Sequence, residues 1–213
     1  MQAPDQEAAS PPLWPEGTVD LRGGAGRERL CYPAGDVLVV SGLPGSGKST
    51  LIRRAVAGER AVRRVDSQDT RERFERLLPH RLPYALARPC VRLVHYAALR
   101  RVVRTGASTV VHDSGRVRWV RAWLAREARR RGAALHLLLL DVGAATALAG
   151  QEARGRRVAP RVFARHRRAI ARLTAAVTGG AQPRGTASVV LLDRPAADAL
   201  RTISFERGGG PGE

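Results

Sequence analysis

Apolar positions along this chain come in two rhythms. Short runs rich in Val and Leu occupy residues 36–41, 61–65, 107–112, 135–140 and 188–192. Turn residues bound each run, as expected of strands buried on both faces. Between the runs, apolar residues recur every three or four positions, the spacing of a helix with one buried face. Leu51, Ile52, Ala55 and Val56 keep that spacing until Gly58. Val91, Val94, Ala98 and Val102 keep it until Gly106, and Val117, Val120, Leu124 and Ala128 until Gly132. Further helices are expected from about Thr70, over 143–153, from Pro160 to about Val177, and over 195–203. Pro160 suits a first helical position. Pro79, Pro83 and Pro89 punctuate an expected loop ahead of Val91. Strands alternating with helices specify an α/β fold, a five-stranded parallel sheet with helices on both faces. No internal repeat is visible.

The ends of the chain lack either rhythm. Residues 1–29 read as a flexible, Pro- and Gly-containing arm, residues 30–204 as the domain, and residues 205–213 as a flexible tail. Arg29-Leu30-Cys31-Tyr32 is a candidate short strand ahead of the turn at 33–36. Aromatic residues make up only 4% of the chain, so the core must be built from Val, Leu and Ala. No apolar run approaches the length of a membrane span, and the first residues lack a secretory pattern. Cys31 and Cys90 are far apart, without ligand-like spacing, which fits idle thiols in a reducing cytoplasm.

Charge complicates the picture. The formal net charge is +18, which favours contact with phosphate backbones and makes nucleic acid a candidate partner. Arginine on solvated helix faces accounts for the same charge without any partner. One residue stands apart: of 37 basic residues only Lys48 is lysine.

Lys48 falls in Gly42-Leu43-Pro44-Gly45-Ser46-Gly47-Lys48-Ser49-Thr50, which fits the phosphate-binding pattern G-x-x-x-x-G-K-[ST]. A strand pattern precedes it and a helix pattern follows. That context lets glycines turn backbone N–H groups toward phosphate oxygens at the positive end of a helix. A compact ammonium fits between phosphates where a guanidinium fork does not. Lys48 is therefore expected at the β and γ phosphates of a nucleoside triphosphate, with the Ser49 hydroxyl on Mg²⁺.

In a parallel sheet the ligand lies outside the carboxyl ends of the strands, which selects Asp66 or Asp69, Asp113, Asp141 and Asp193. Asp113, after the run ending Val110-Val111-His112, is the expected second Mg²⁺ ligand; its competing role is capping the next helix. His112, like His80, His95 and His166, reads as structural. Asp66, Asp69 and Arg71 follow the second strand, where an acceptor would approach. A carboxylate there could take a hydroxyl proton and Arg71 could grip an acceptor phosphate, with helix capping again the competitor. Arg154, Arg156 and Arg157 lie on a glycine-containing loop that could close over the triphosphate, or simply be a solvated cluster.

Together these residues resemble the small P-loop kinase superfamily, within it the polynucleotide-kinase-like and zeta-toxin-like proteins, often labelled AAA family ATPases. The resemblance covers roughly residues 36–193. It rests on the glycine loop, Asp69-Thr-Arg71, His112-Asp113-Ser114, and Gln151-x-x-Arg154-Gly155-Arg156-Arg157-Val158-x-Pro160. It implies a nucleoside-kinase-like three-layer sandwich, ATP and Mg²⁺ as cofactors, and transfer of the γ-phosphate to a hydroxyl of a small molecule or nucleic-acid end. It also implies an acceptor side at Asp69 and Arg71 and a lid at about 150–160. Two positions depart from the family pattern. Gln68 stands where a leading carboxylate falls, and Gly150-Gln151 stands where lids begin Arg-Asn. A slow ATPase or nucleotide-binding regulatory module is the alternative function. A AAA⁺ motor fits less well, because the chain is short and Asp113 has no Glu after it.

Overall fold

The computed structural model describes residues 11–207 apart from 25, 57, 59–60, 67–83, 114–117 and 156; the side chains of 66, 84–92 and 95 are also left undescribed. The strands are β1 (Gly17–Asp20), β2 (Arg29–Pro33), β3 (Val37–Gly42), β4 (Arg63–Asp66), β5 (Thr109–His112), β6 (Leu135–Leu140), β7 (Ser188–Leu192) and β8 (Thr202–Glu206). The helices are α1 (Lys48–Ala55), α2 (Tyr84–Arg104), α3 (Arg118–Arg129), α4 (Ala144–Glu152), α5 (Pro160–Thr178) and α6 (Arg194–Ala199).

Six strands form a parallel sheet in the order β1-β7-β6-β3-β5-β4, and β2 with β8 forms a separate parallel pair. β3 is central: Val39 lies opposite Val111 of β5 on one side and Leu137 of β6 on the other. The chain fills one side of β3 with β4 and β5, then crosses to the other side for β6 and β7. The reversal makes the carboxyl end of β3 a topological switch point, where open α/β sheets bind ligands.

Alternation along each strand divides the core between two faces. Leu38, Val40, Leu138, Leu140, Val190 and Leu192 pack against α1, α6 and the β2–β8 pair. Val37, Val39, Leu137, Leu139, Val189 and Leu191 pack on the other face with Leu99, Leu124, Phe163 and Ile170. Burial on both faces is why these strands read as continuous apolar runs. At the amino ends of the strands, His136 bridges Ser188 Oγ and Asp36 Oδ2, each at 2.8 Å. Asp36 Oδ1 accepts the Ala134 N–H at 2.8 Å, so this buried cluster fastens three strands at the end remote from the glycine loop.

Three expectations are corrected. The sheet has six strands rather than five, because Gly17–Asp20 pairs with β7 (Thr18 opposite Val189). That edge strand is mostly exposed and holds its place by backbone bonds, so it carries no hydrophobic pattern. The last helix stops at Ala199, and Thr202–Glu206 becomes β8, placing Ile203 in the core. The third expected helix starts at Tyr84 and runs through Pro89, which has no N–H to give the Ala85 carbonyl one turn back.

Candidate functional site

The site grows from the β3–α1 connection. Gly45 and Gly47 have φ of +88° and +97°, conformations that side-chain-bearing residues rarely adopt. Gly47 caps α1, whose first turn contains no acidic residue to compete with an anion at its positive end. Lys48 is 5% exposed, and its ammonium donates to the carbonyls of Gly42 at 2.8 Å and Leu43 at 2.7 Å. The Lys48 Nζ is thus folded back over the loop that precedes it. Ser46 is buried, and its Oγ has no hydrogen-bond partner among the described residues. A buried hydroxyl without a partner is costly, and a phosphate oxygen in the loop would satisfy it. Ser49 is half-buried on the first turn of α1 and Thr50 is exposed beside it. These residues fit a phosphate chain.

Asp113 follows β5 directly, and its backbone N–H donates to Val40 O at 3.0 Å, extending the β3–β5 ladder to the mouth of the site. Its Oδ2 accepts from Ser41 Oγ at 3.3 Å and lies 3.6 Å from Arg121 Nη1. α3 is described from Arg118, and the four residues between it and Asp113 lie outside the described ones. Arg121 is 6% exposed, an unusual place for a guanidinium. Burial pushes its pKa down, and the Asp113 charge pulls it back up. Sequence reasoning missed Arg121, although its spacing from Val117 and Leu124 puts it on the apolar stripe of α3, which was the available signal.

The remaining candidates divide. Asp141 pairs with Arg22 Nη1 at 2.5 Å, and Arg22 also binds Asp20 through Nη2 at 2.7 Å. Asp193 caps α6 by accepting from Ala196 N at 2.9 Å and also accepts from Gly23 N at 2.8 Å. These two backbone bonds, that to Ala196 the larger, lower its pKa. A segment of the expected N-terminal arm therefore lies across the ends of β6 and β7 and occupies both carboxylates. Asp66 ends β4 opposite His112, while Asp69 and Arg71, with Gln68 and Arg156, lie outside the described residues. Arg154 Nη2 donates to Thr50 Oγ1 at 2.9 Å, which sets one arginine of the expected lid on the glycine loop's helix. Arg157 instead pairs with Glu152 at 2.8 Å on the surface.

Two further contributors were not anticipated. Arg194, on α6, brings Nη1 within 3.2 Å of where a Cβ on Gly47 would stand, adding a cation beside the loop. The second is the pair Gly150-Gln151. A Cβ on Gly150 would stand 2.4 Å from Gly45 O, so glycine is required there for α4 to meet the loop. The departure from the family's lid pattern at 150 thus has a packing cause.

Residues 37–178 match the family AAA_33, AAA domain. The chain belongs to that family. No curated protein matches the AAA_33 chain. Among solved structures, it is similar to a candidate kinase from Chloroflexus aurantiacus, with a TM-score of 0.53 and 15% identity over 76% of this chain and 85% of the other. The Pnkp1/Rnl/Hen1 RNA repair complex aligns with a TM-score of 0.53 and 15% identity over 70% of this chain and 47% of the other. A gluconokinase from Sinorhizobium meliloti aligns with a TM-score of 0.48 and 18% identity over 80% and 90%. This AAA_33 chain has a P-loop kinase-like fold. Among its described residues, no helix is long and apolar enough to cross a membrane, and no group of His, Cys, Asp and Glu forms a metal site of protein ligands alone.

Proposed function

We propose that the protein is an ATP-dependent phosphotransferase, a kinase that moves the γ-phosphate of ATP to a hydroxyl on a small-molecule or nucleic-acid acceptor. The observation that carries this reading is the Lys48 ammonium, folded over the glycine loop by the Gly42 and Leu43 carbonyls. It can exchange those carbonyls for β and γ oxygens without leaving the loop. Gly45, Gly47 and Lys48 offer their N–H groups to the phosphates, and Ser46, whose N–H is held by Leu43 O at 3.0 Å, gains the partner its Oγ lacks. Ser49 and Asp113 would hold Mg²⁺, which when bound draws charge from the β and γ phosphates. Arg121, 3.6 Å from Asp113 Oδ2, keeps that carboxylate aimed, and so acts as a positioning residue.

Transfer requires an acceptor hydroxyl in line with the γ-phosphorus. Asp66 or Asp69 takes the hydroxyl proton, the new O–P bond forms as the bond to the β–γ bridging oxygen breaks, and ADP leaves. Arg71 holds an acceptor phosphate, while Arg154, set on Thr50, offsets charge on the transferred group and Arg157 stays on the surface with Glu152. The basic surface suits a phosphorylated or polynucleotide acceptor, and the free, buried thiol of Cys31 suits a cytoplasmic setting. A slow ATPase or regulatory module is the second reading, favoured by Gln68 in place of a carboxylate.

A stability screen of nucleosides, sugars and oligonucleotides with ATP·Mg²⁺, followed by transfer from γ-labelled ATP, tests the proposal. A kinase labels at least one stabilising acceptor. Tight ATP binding with slow hydrolysis and no labelled acceptor supports the second reading instead.

A further inference from the structure

We propose that Gln151 is a positioning residue that aims the Gly45 N–H into the phosphate loop and ties that orientation to the lid; this rests on the kinase reading above. Gln151 is 4% exposed, at the end of α4. Its Nε2 donates to Pro44 O at 3.0 Å, and its Oε1 accepts from Val158 N at 2.9 Å. One planar amide therefore joins the glycine loop to the far end of the lid turn. The contact at Pro44 has a consequence one atom further on. Pro44 C=O and Gly45 N–H share one peptide plane and point to opposite sides of it. Holding the carbonyl toward α4 turns the Gly45 N–H away from α4, where a phosphate oxygen would lie.

Neighbouring contacts make this coupling stiff. A Cβ on Gly45 would stand 2.0 Å from Ala147 O and one on Gly150 2.4 Å from Gly45 O, so loop and helix backbones touch. Arg154 adds its bond to Thr50 from within the lid turn. The chemistry also selects the residue type. Pro44 needs a donor and Val158 an acceptor; a side-chain amide offers both, and glutamine has the reach. Glutamate would serve Val158 alone, and methionine neither. Any shift of the lid that draws Val158 away must rotate or release the Pro44–Gly45 plane. By the same linkage, phosphate binding at the loop must stabilise the lid.

The test combines calorimetry with ATP·Mg²⁺ and hydrogen exchange at the Val158 amide, on wild type, Gln151→Met and Gln151→Glu. In wild type, ATP·Mg²⁺ binds and slows Val158 exchange. In Gln151→Met, ATP affinity falls about tenfold, the scale of one lost buried hydrogen bond, and nucleotide no longer slows Val158 exchange. Gln151→Glu keeps the Val158 acceptor and hence its protection, yet loses ATP affinity; it decides the matter if the methionine variant does not fold. Variants with wild-type affinity, in which ATP still protects Val158, overturn the inference alone. Wild-type protein that binds no nucleotide overturns the kinase reading beneath it.

Discussion

The pairing of Asp113 with Arg121 puts two demands on one carboxylate. As a Mg²⁺ ligand in the kinase reading it must stay ionised, and as the partner of a buried guanidinium it must stay in place. Removing its charge takes an ion-pair partner from the buried Arg121 guanidinium, which is the expensive way to break such a pair. Asp113→Asn is therefore expected to lose about 1–3 kcal/mol of stability along with phosphate transfer. Adding Arg121→Met should restore most of the stability and none of the transfer. Denaturant titration and a transfer assay on the single and double variants check this. A stable single variant would show that the pair does not matter to the fold. Recovered transfer in the double variant would remove Asp113 from the site.

At the scale of elements, the lid and the strands show what can be read from the sequence. The two arginines in view from the expected lid have separate surroundings, Arg154 on Thr50 of α1 and Arg157 on surface Glu152. Arg154→Ala is expected to cut the transfer rate by about 10²-fold or more, on the scale of cations that stabilise transferred phosphate. Arg157→Ala should stay within about threefold, because exposed ion pairs are worth little. Steady-state kinetics on both variants decides, and equal losses would contradict the assignment. The glycine loop was legible because it is contiguous, with its chemistry encoded in one segment. Arg121, Arg194 and the contact that Gln151 makes with Pro44 were not, because each reaches the loop or its neighbour Asp113 from a different element, and only folding brings them together. Gly150 read only as a departure from the family pattern because a sequence shows what a residue lacks, not the backbone it allows to approach. Edge strand β1 escaped notice because its pairing is by backbone, whereas the buried strands β3, β6 and β7 announced themselves by unbroken apolar runs.

Across the whole molecule, the segment after β1 stitches the mouth of the sheet. Arg22 joins Asp20 and Asp141, and Gly23 N–H reaches Asp193. Asp20, by its hydrogen bond to Arg22 above all, and Asp193, by its bonds to Ala196 and Gly23, have lowered pKa values, and hydrogen bonds from Ser204 and Cys31 lower that of Glu206. A carboxylate whose pKa is depressed on folding adds stability that is full above its ordinary value, near 4, and is lost as pH falls through the folded value. Stability is therefore expected to be level from neutrality down to about pH 5 and to decline below about pH 4. Arg22→Met should flatten that decline. Melting temperatures across the range check both, and an unchanged acid slope in the variant would deny the stitch its role.

The most direct measurement of the central claim is transfer from γ-labelled ATP to an acceptor library, run on wild type and Lys48→Ala with ATP binding measured alongside. The kinase account predicts a labelled hydroxyl acceptor with wild type, and neither tight ATP binding nor labelled product with Lys48→Ala. Binding and turnover of ATP by Lys48→Ala at wild-type levels would contradict it.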